Sequence, residues 1–138
     1  MSAPRTLEQD RAAHAWQMVR TVKEIGGKPA GDYLSIATGA AAAVQVNGLG
    51  QTLAFWRAKG RKDAAYQEML RHLGEWVGPR VGAPGGDLLE WLVASTTGSD
   101  AYRRATWEAL AYLKWVKRFA EAELEQEDRD GRKGGRDG

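Results

Sequence analysis

Cysteine is absent from the 138-residue chain, and histidine occurs twice. Without cysteine the chain has no disulfide, no thiolate zinc site and no cysteine nucleophile. His14 and His72 stand alone in the sequence, and neither belongs to a metal-binding pattern such as H-E-x-x-H. We therefore expect two surface or boundary histidines, no bound metal and no cofactor.

Long hydrophobic runs are also missing. The most apolar stretch, residues 39–44, is rich in alanine and far too short to span a bilayer. The first ten residues contain no apolar segment of the kind that a signal peptide requires. Together with the lack of cysteine, these absences favour a cytoplasmic protein that makes no membrane contact.

Motifs for catalysis and nucleotide binding are incomplete or absent. No serine sits in a G-x-S-x-G elbow. The glycines at 48 and 50 begin like a dinucleotide fingerprint, but the third glycine and a preceding strand are lacking. Carboxylates crowd mainly into residues 121–130, at a helix end that holds no fixed geometry. We therefore predict that the protein is not an enzyme and has no small-molecule substrate.

Helical periodicity is what the chain does contain. Apolar residues recur at spacings of three and four, and no segment alternates for long with the period of two that a strand requires. A chain of 138 residues suits one domain, and a domain of this size buries a sufficient core without cross-links. The pattern predicts an all-α, compact single-domain bundle of about five to six helices over residues 1–127, with an acidic disordered tail over 128–138.

Caps and helix breakers predict where the first two helices begin. Thr6 and Gln9 form a capping box at the start of the first helix. Pro29 and Gly31 predict a connector, so the second helix is expected to begin near Tyr33.

The segment 46–60, VNGLGQTLAFWRAKG, is predicted to be the central buried helix of the bundle. Its apolar residues fall on one helical face, and the glycines that follow Asn47 let another backbone approach closely. Arg57 and Lys59 display positive charge near its end, and Gly60 is expected to form a left-handed C-terminal cap.

Two further helices follow with clear caps. Asp63 is predicted to cap an amphipathic helix that ends at Gly78–Pro79, before a loop rich in glycine and proline. After a short helix, Ser99 is predicted to cap a last helix that runs to about Gln126.

Positive charge is unevenly distributed along the chain. Residues 1–120 contain 16 Lys and Arg against 11 Asp and Glu, a net charge of +5, whereas residues 121–138 contain 4 against 7, a net charge of −3. A modest basic excess permits phosphate contact without requiring it. The candidate RNA-binding residues form two groups: Arg57, Lys59, Arg61 and Lys62 near the end of the central helix, and Arg103, Arg104, Lys114, Lys117 and Arg118 along the last helix.

The last helix carries aromatic residues on three of its faces. A single packed layer buries one face of a helix, so some of these rings must stay exposed or be covered by a partner. Trp107 and Trp115 are therefore candidate protein-interface residues.

The segment Asn47-Gly48-Leu49, followed by Thr52-Leu53-Ala54-Phe55 and Lys59, resembles the signature of a known family. The family is the small subunit of the CRISPR type III-B (Cmr, RAMP-module) RNA-silencing complex, and the similarity extends in outline over about residues 5–125. The resemblance implies a non-catalytic antiviral-defence subunit, with several copies stacked in a filament. It also implies contacts with other Cmr subunits and with the guide–target RNA duplex.

A second hypothesis needs no RNA. In it the chain is a stand-alone helical adaptor whose exposed tryptophans bind a protein partner, and its basic residues are incidental. A hydrolase is disfavoured because the sequence offers neither a nucleophile in context nor a metal-binding set.

Overall fold

The computed structural model describes residues 3–83 and 87–126. This part of the chain contains no β-strand, so the predicted all-α fold is confirmed. The tail predicted over residues 128–138 lies outside the described residues. The helices within the described ranges are α1 (Leu7–Ile25), α2 (Gly27–Asn47), α3 (Leu49–Gly60), α4 (Ala64–Val81), α5 (Leu88–Val93) and α6 (Ser99–Glu123).

The helix at the centre of the bundle is α6, and the prediction that segment 46–60 holds this place is wrong. α6 packs against α1, α2 and α4, whereas α3 lies to one side, on α4, α2 and α5. The 25 residues of α6 reach across the bundle, which the 12 residues of α3 do not. The inward face of α6 is fully buried at Ala105, Ala109, Tyr112 and Val116.

The caps predicted from polar side chains are confirmed at α1 and α4. The Thr6 hydroxyl accepts a hydrogen bond from the Gln9 amide at 3.0 Å, and the Thr6 amide donates to the Gln9 side chain at 2.9 Å. The Asp63 carboxylate accepts from the Ala65 amide at 2.9 Å. Each contact satisfies a donor of the first helical turn that has no partner within the helix.

The connector predicted around Pro29 and Gly31 is wrong, because both residues lie inside α2. Pro29 occupies the first turn, where a backbone N–H has no acceptor within the helix and its loss costs nothing. The break lies earlier, at Gly26 and Gly27, whose φ angles are 67° and 61°. The Lys28–Asp32 ion pair, at 2.5 Å, then spans one turn of α2.

α4 also runs past a predicted stop. Pro79 lies within the helix, which ends at Val81 and is capped by Gly82 in the left-handed conformation with φ 77°. A proline usually clashes with the Cβ of the residue before it, and Gly78 has none. One backbone hydrogen bond is lost at Pro79, and the helix continues to Val81.

Gly60 is not the left-handed cap predicted for α3. It lies inside the helix, and Arg61 follows with right-handed φ and ψ of −60° and −26°. A Cβ at Gly60 would lie 3.3 Å from Gln67 Cγ, and the Gln67 side chain donates a hydrogen bond to the Gly60 carbonyl. Glycine here permits the close approach of α4 to the end of α3.

α6 differs from its predicted bounds at both ends. Gly98 is the N-cap and makes no side-chain hydrogen bond, so Ser99 is the first helical residue and not a cap. The helix ends at Glu123, because Leu124 turns into an extended conformation and is buried. The Gln126 side chain then donates to the Ser35 hydroxyl at 2.9 Å, which fastens the segment to α2.

Candidate RNA and partner surfaces

The first basic group lies where α3 ends and α4 begins; we call it the α3–α4 corner and define it as Lys59, Arg61 and Lys62. All three side chains are exposed. The Lys59 ammonium lies 5.5 Å from the ring centroid of Phe55, one turn earlier on the same face. In the described part of the chain, none of the three makes an ion pair. The corner is therefore a concentration of uncompensated positive charge.

Arg57, predicted with this group, has a partner within the chain. Its guanidinium donates to Asp87 at 2.8 Å. Asp87 also accepts from the Glu90 amide at 3.0 Å as the cap of α5. The Glu90 hydrogen bond, followed by that from Arg57, lowers the pKa of Asp87 below its usual value. Arg57 thus fastens α3 to the start of α5.

The second basic group is divided in the same way between paired and unpaired cations. Arg103 pairs with Asp100 at 2.6 Å, and Arg118 pairs with Glu121 at 3.4 Å. These pairs are exposed, so they stabilise the fold very little and leave both guanidinium groups accessible. In the described part of the chain, no ion pair forms at Arg104, Lys114 or Lys117.

Shallow grooves run along the outer side of α6, and they share Ala111. We call this region the α6 groove and define it by the α6 residues Arg104, Trp107, Ala111, Lys114, Trp115 and Arg118. The spacing of three and four residues places them on one face of the helix. Arg103 and Lys117 do not line these grooves.

The two basic groups are separate surfaces. α3 meets α6 near their N-terminal ends, where the Gly50 amide donates to the Tyr102 hydroxyl at 2.8 Å. The α3–α4 corner lies at the opposite end of α3, about 15 Å further along its axis. A single patch built from all the predicted cations does not form.

Glu108, an acidic residue that lines one of these grooves, already has hydrogen-bond partners within the chain. Glu108 accepts hydrogen bonds from the Arg11 guanidinium at 2.6 and 3.0 Å and from the Trp76 indole at 2.7 Å. Partial burial by itself raises the pKa of Glu108, but the bonds from Arg11 and Trp76 and the Arg11 charge outweigh it and lower the pKa. The carboxylate joins α1, α4 and α6 and does not neutralise Arg104 or Lys114.

The two candidate interface tryptophans have different surroundings. Trp107 is 75% exposed, the most exposed aromatic ring in the described part of the chain. Trp115 is half-buried; its indole donates to Glu8 at 2.9 Å, and its ring stacks on Phe119 with centroids 5.4 Å apart. Trp107 is thus the ring that is free to meet another molecule.

A buried polar network is the feature that sequence reasoning missed. His72 is fully buried, so its prediction as a surface or boundary residue is wrong. Its Nδ1 lies 2.8 Å from the Tyr33 hydroxyl, and its Nε2 lies 3.2 Å from a Glu68 oxygen. His14 is half-buried, 2.7 Å from the Tyr112 hydroxyl. The sequence does contain a signal for this buried histidine. Glu68 lies four residues before His72, and the apolar spacing of α4 places position 72 on its buried face.

Across residues 3–83 and 87–126, no three His, Asp or Glu side chains form a group that fits a metal ion. In the same ranges no helix is long and apolar enough to cross a membrane. The candidate sites among the described residues are thus two basic surfaces and the indole of Trp107.

A family model described as CRISPR-associated protein (Cas_Cmr5) matches residues 7–123. The chain belongs to the Cmr5 family. The resemblance drawn from the signature around Asn47 is therefore confirmed. The matched range begins and ends with the first and last residues of the bundle, from the start of α1 to the end of α6.

Two similar proteins extend the comparison. The CRISPR system Cmr subunit Cmr5 of Thermus thermophilus is 32% identical over 123 residues, covering 88% of this Cmr5-family chain and 99% of that protein. A crystal structure of a CRISPR-associated Cmr5 family protein from the same species has a TM-score of 0.72 and 30% identity, covering 88% of this chain and all of that one. Both the sequence and the helical arrangement therefore agree with the family.

Proposed function

We propose that this protein is a non-catalytic subunit of a cytoplasmic CRISPR Cmr complex that serves in antiviral defence. Family membership over residues 7–123 carries this proposal. Other Cmr subunits and further copies of the chain are its partners, and the copies stack in a filament.

Its contribution to RNA binding is a set of phosphate contacts. The α3–α4 corner supplies three exposed cations without ion-pair partners in the described chain, and such contacts hold a strand without reading its sequence. A second track of cations runs along α6. It consists of Arg104, Lys114 and Lys117, together with Arg103 and Arg118 from the two exposed pairs. Arg57 contributes less because Asp87 already accepts its hydrogen bond.

Trp107 and Trp115 are proposed to meet a neighbouring protein subunit. Trp107 is exposed in the free chain, and aromatic side chains are enriched where protein interfaces bury apolar surface. The same exposed ring is what a stand-alone adaptor would use. Co-purification from the native cell, followed by RNA extraction and subunit mass counting, distinguishes the Cmr subunit from the adaptor. Recovery of Cmr subunits with RNA supports the Cmr subunit. Recovery of an unrelated protein, held without RNA at high salt, supports the adaptor.

Charge reversal tests the RNA contact directly. Replacing Lys59, Arg61 and Lys62 by glutamate in the assembled complex should weaken retention of target RNA. The slope of log affinity against log salt should fall by about 2, since each lost single-strand phosphate contact removes about 0.7. The melting temperature should change little, because the three side chains are exposed.

The control reverses Arg20, Lys23 and Lys28, exposed cations on α1 and at the start of α2 that pair with Glu123 and Asp32, so its melting temperature is measured alongside. It makes the same change in net charge at another place, so it corrects for long-range attraction of RNA. Wild-type retention and slope in the corner variant, or an equal loss in the control, would show that the corner does not contact RNA.

A further inference from the structure

A cavity of about 420 Å³ opens between the C-terminal half of α2 and α3, beside the α3–α4 corner. It forms because the chain reverses at Gly48, whose φ of 87° permits α3 to fold back along α2. Its volume is within the range of small-molecule sites. The lining residues are Ala43, Asn47, Gln51, Thr52, Phe55 and Trp56.

The cavity has an apolar floor and a polar rim. Trp56 and Thr52 are buried, and the Thr52 hydroxyl donates to the Gly48 carbonyl at 2.9 Å, so it is not available to a ligand. Asn47 and Gln51 are exposed, and within the described part of the chain their side-chain amides make no hydrogen bond. These amides are therefore available as both donors and acceptors.

Phe55 forms an exposed flat wall of the cavity. It is 55% exposed, unusual for a phenylalanine in a folded domain. Tyr66 contacts it edge to face, with centroids 6.2 Å apart and ring planes at 85°, which fixes the orientation of the Phe55 ring. The Lys59 ammonium lies over this ring, 5.5 Å from its centroid, so a planar group can stack on Phe55 once the Lys59 side chain turns aside to a phosphate.

Charge around the cavity favours an anionic ligand. Lys59 lies one turn beyond Phe55 on the same exposed face, and Arg61 and Lys62 follow. The residues that line the cavity include no carboxylate. Asp63, which follows Lys62, accepts from the Ala65 amide as the cap of α4. A ligand that joins a flat ring to phosphates uses both the exposed Phe55 ring and the neighbouring cations. A purely apolar protein segment would leave the cations without a role.

We propose that this cavity binds an unpaired base of single-stranded RNA. The base stacks on Phe55, its edge faces the amides of Asn47 and Gln51, and the flanking phosphate contacts Lys59. Base-on-aromatic stacking tolerates every base, so the site selects unpaired nucleotides over paired ones. The inference rests on the proposed function, because it assigns a ligand to the same basic corner.

Binding of a short labelled oligouridine to the full chain tests the assignment. Phe55→Ala should weaken binding on the order of tenfold. Its salt slope should match that of the wild type, since stacking releases no counterions. Phe55→Trp should restore affinity, and double-stranded RNA of equal length should be insensitive to Phe55→Ala.

Val46→Ala is the matched control, because Val46 is 82% exposed on the adjoining end of α2 and does not line the cavity. The inference is overturned if the full chain binds no oligouridine, or if Phe55→Ala binds as the wild type does. It is equally overturned if Phe55→Ala releases a protein from the assembled complex while RNA binding is unchanged. The charge-reversal experiment at the α3–α4 corner does not depend on these outcomes, and it tests the proposed function separately.

Discussion

A neutral histidine inside the bundle links α2 to α4. His72 contacts the Tyr33 hydroxyl at 2.8 Å through one ring nitrogen, and Glu68 and Arg71 at 3.2 Å through the other. Burial, followed by the charge of Arg71, lowers the pKa of His72 to about 4, against the partial opposition of Glu68 and Glu75. At neutral pH the ring is therefore uncharged, and a proton must enter the core for it to become charged.

This burial makes folding stability depend on pH. In the unfolded chain His72 takes a proton near the ordinary histidine pKa of 6.5, whereas in the folded chain it does so at about 4. The neutral His72 ring thus makes its full contribution to the free energy of unfolding above pH 6.5, and this contribution is lost as the pH falls toward 4. Urea denaturation should show the free energy of unfolding dropping by about 3 kcal/mol across this window.

His72→Gln supplies the control for the pH series. Glutamine does not titrate, so the variant should be less stable at pH 7 and its stability should vary less between pH 6.5 and 4. His14, whose pKa is lowered chiefly by burial, still titrates in the same direction and leaves a residual slope. A wild-type slope in His72→Gln would mean that other groups carry the pH dependence.

At the scale of whole elements, one carboxylate holds three helices in register. Glu108 on α6 receives Arg11 from α1 and Trp76 from α4. The side chains of Arg11 and Glu108 are 11% and 13% exposed, so water compensates poorly for a lost partner. This contact differs in kind from the exposed pairs on α6, which water surrounds.

Glu108→Ala should therefore lower the free energy of unfolding by about 2–3 kcal/mol, because it leaves a nearly buried guanidinium and an indole N–H without their acceptor. Thermal and urea denaturation provide the measurement. Glu121→Gln, which breaks the exposed pair with Arg118, is the matched control and should stay within about 0.5 kcal/mol of the wild type. Equal effects of the two substitutions would contradict a structural role for Glu108.

Helix starts could be predicted from sequence where a side chain makes the cap. Thr6 and Asp63 are recognisable because their oxygens accept from backbone amides within three residues. The stops at Pro29 and Pro79 were mispredicted because the effect of a proline depends on its place within the helix and on the residue before it. The role of Gly60 is not visible in the sequence because the Gln67 side chain that packs closely on it comes from the next helix.

For the molecule as a whole, the family and the all-α fold followed from the sequence, but the shape of the charged surface did not. The cations of α3 and α6 were identified from composition and spacing. On α6 the pairs of Arg103 and Arg118 are local, at a spacing of three residues. The pairs of Arg57 with Asp87 and of Arg11 with Glu108, in contrast, join distant positions. The local sequence pattern does not reveal such long-range pairs. From the sequence alone the two basic groups therefore look alike, although their ion pairing differs.

Trp107 gives the last test, of how the molecule fits into an assembly. Its side chain is 75% exposed, so Trp107→Ala should leave the free chain as stable as the wild type within about 0.5 kcal/mol. If the ring is buried against a neighbouring subunit, the same substitution should reduce incorporation into the reconstituted Cmr complex. Native mass spectrometry measures this incorporation at high salt, because salt weakens the phosphate contacts. Val93→Ala, which removes another exposed apolar side chain at 71% exposure, is the control and should be incorporated normally. Normal incorporation of the Trp107 variant would place the protein interface elsewhere on the bundle.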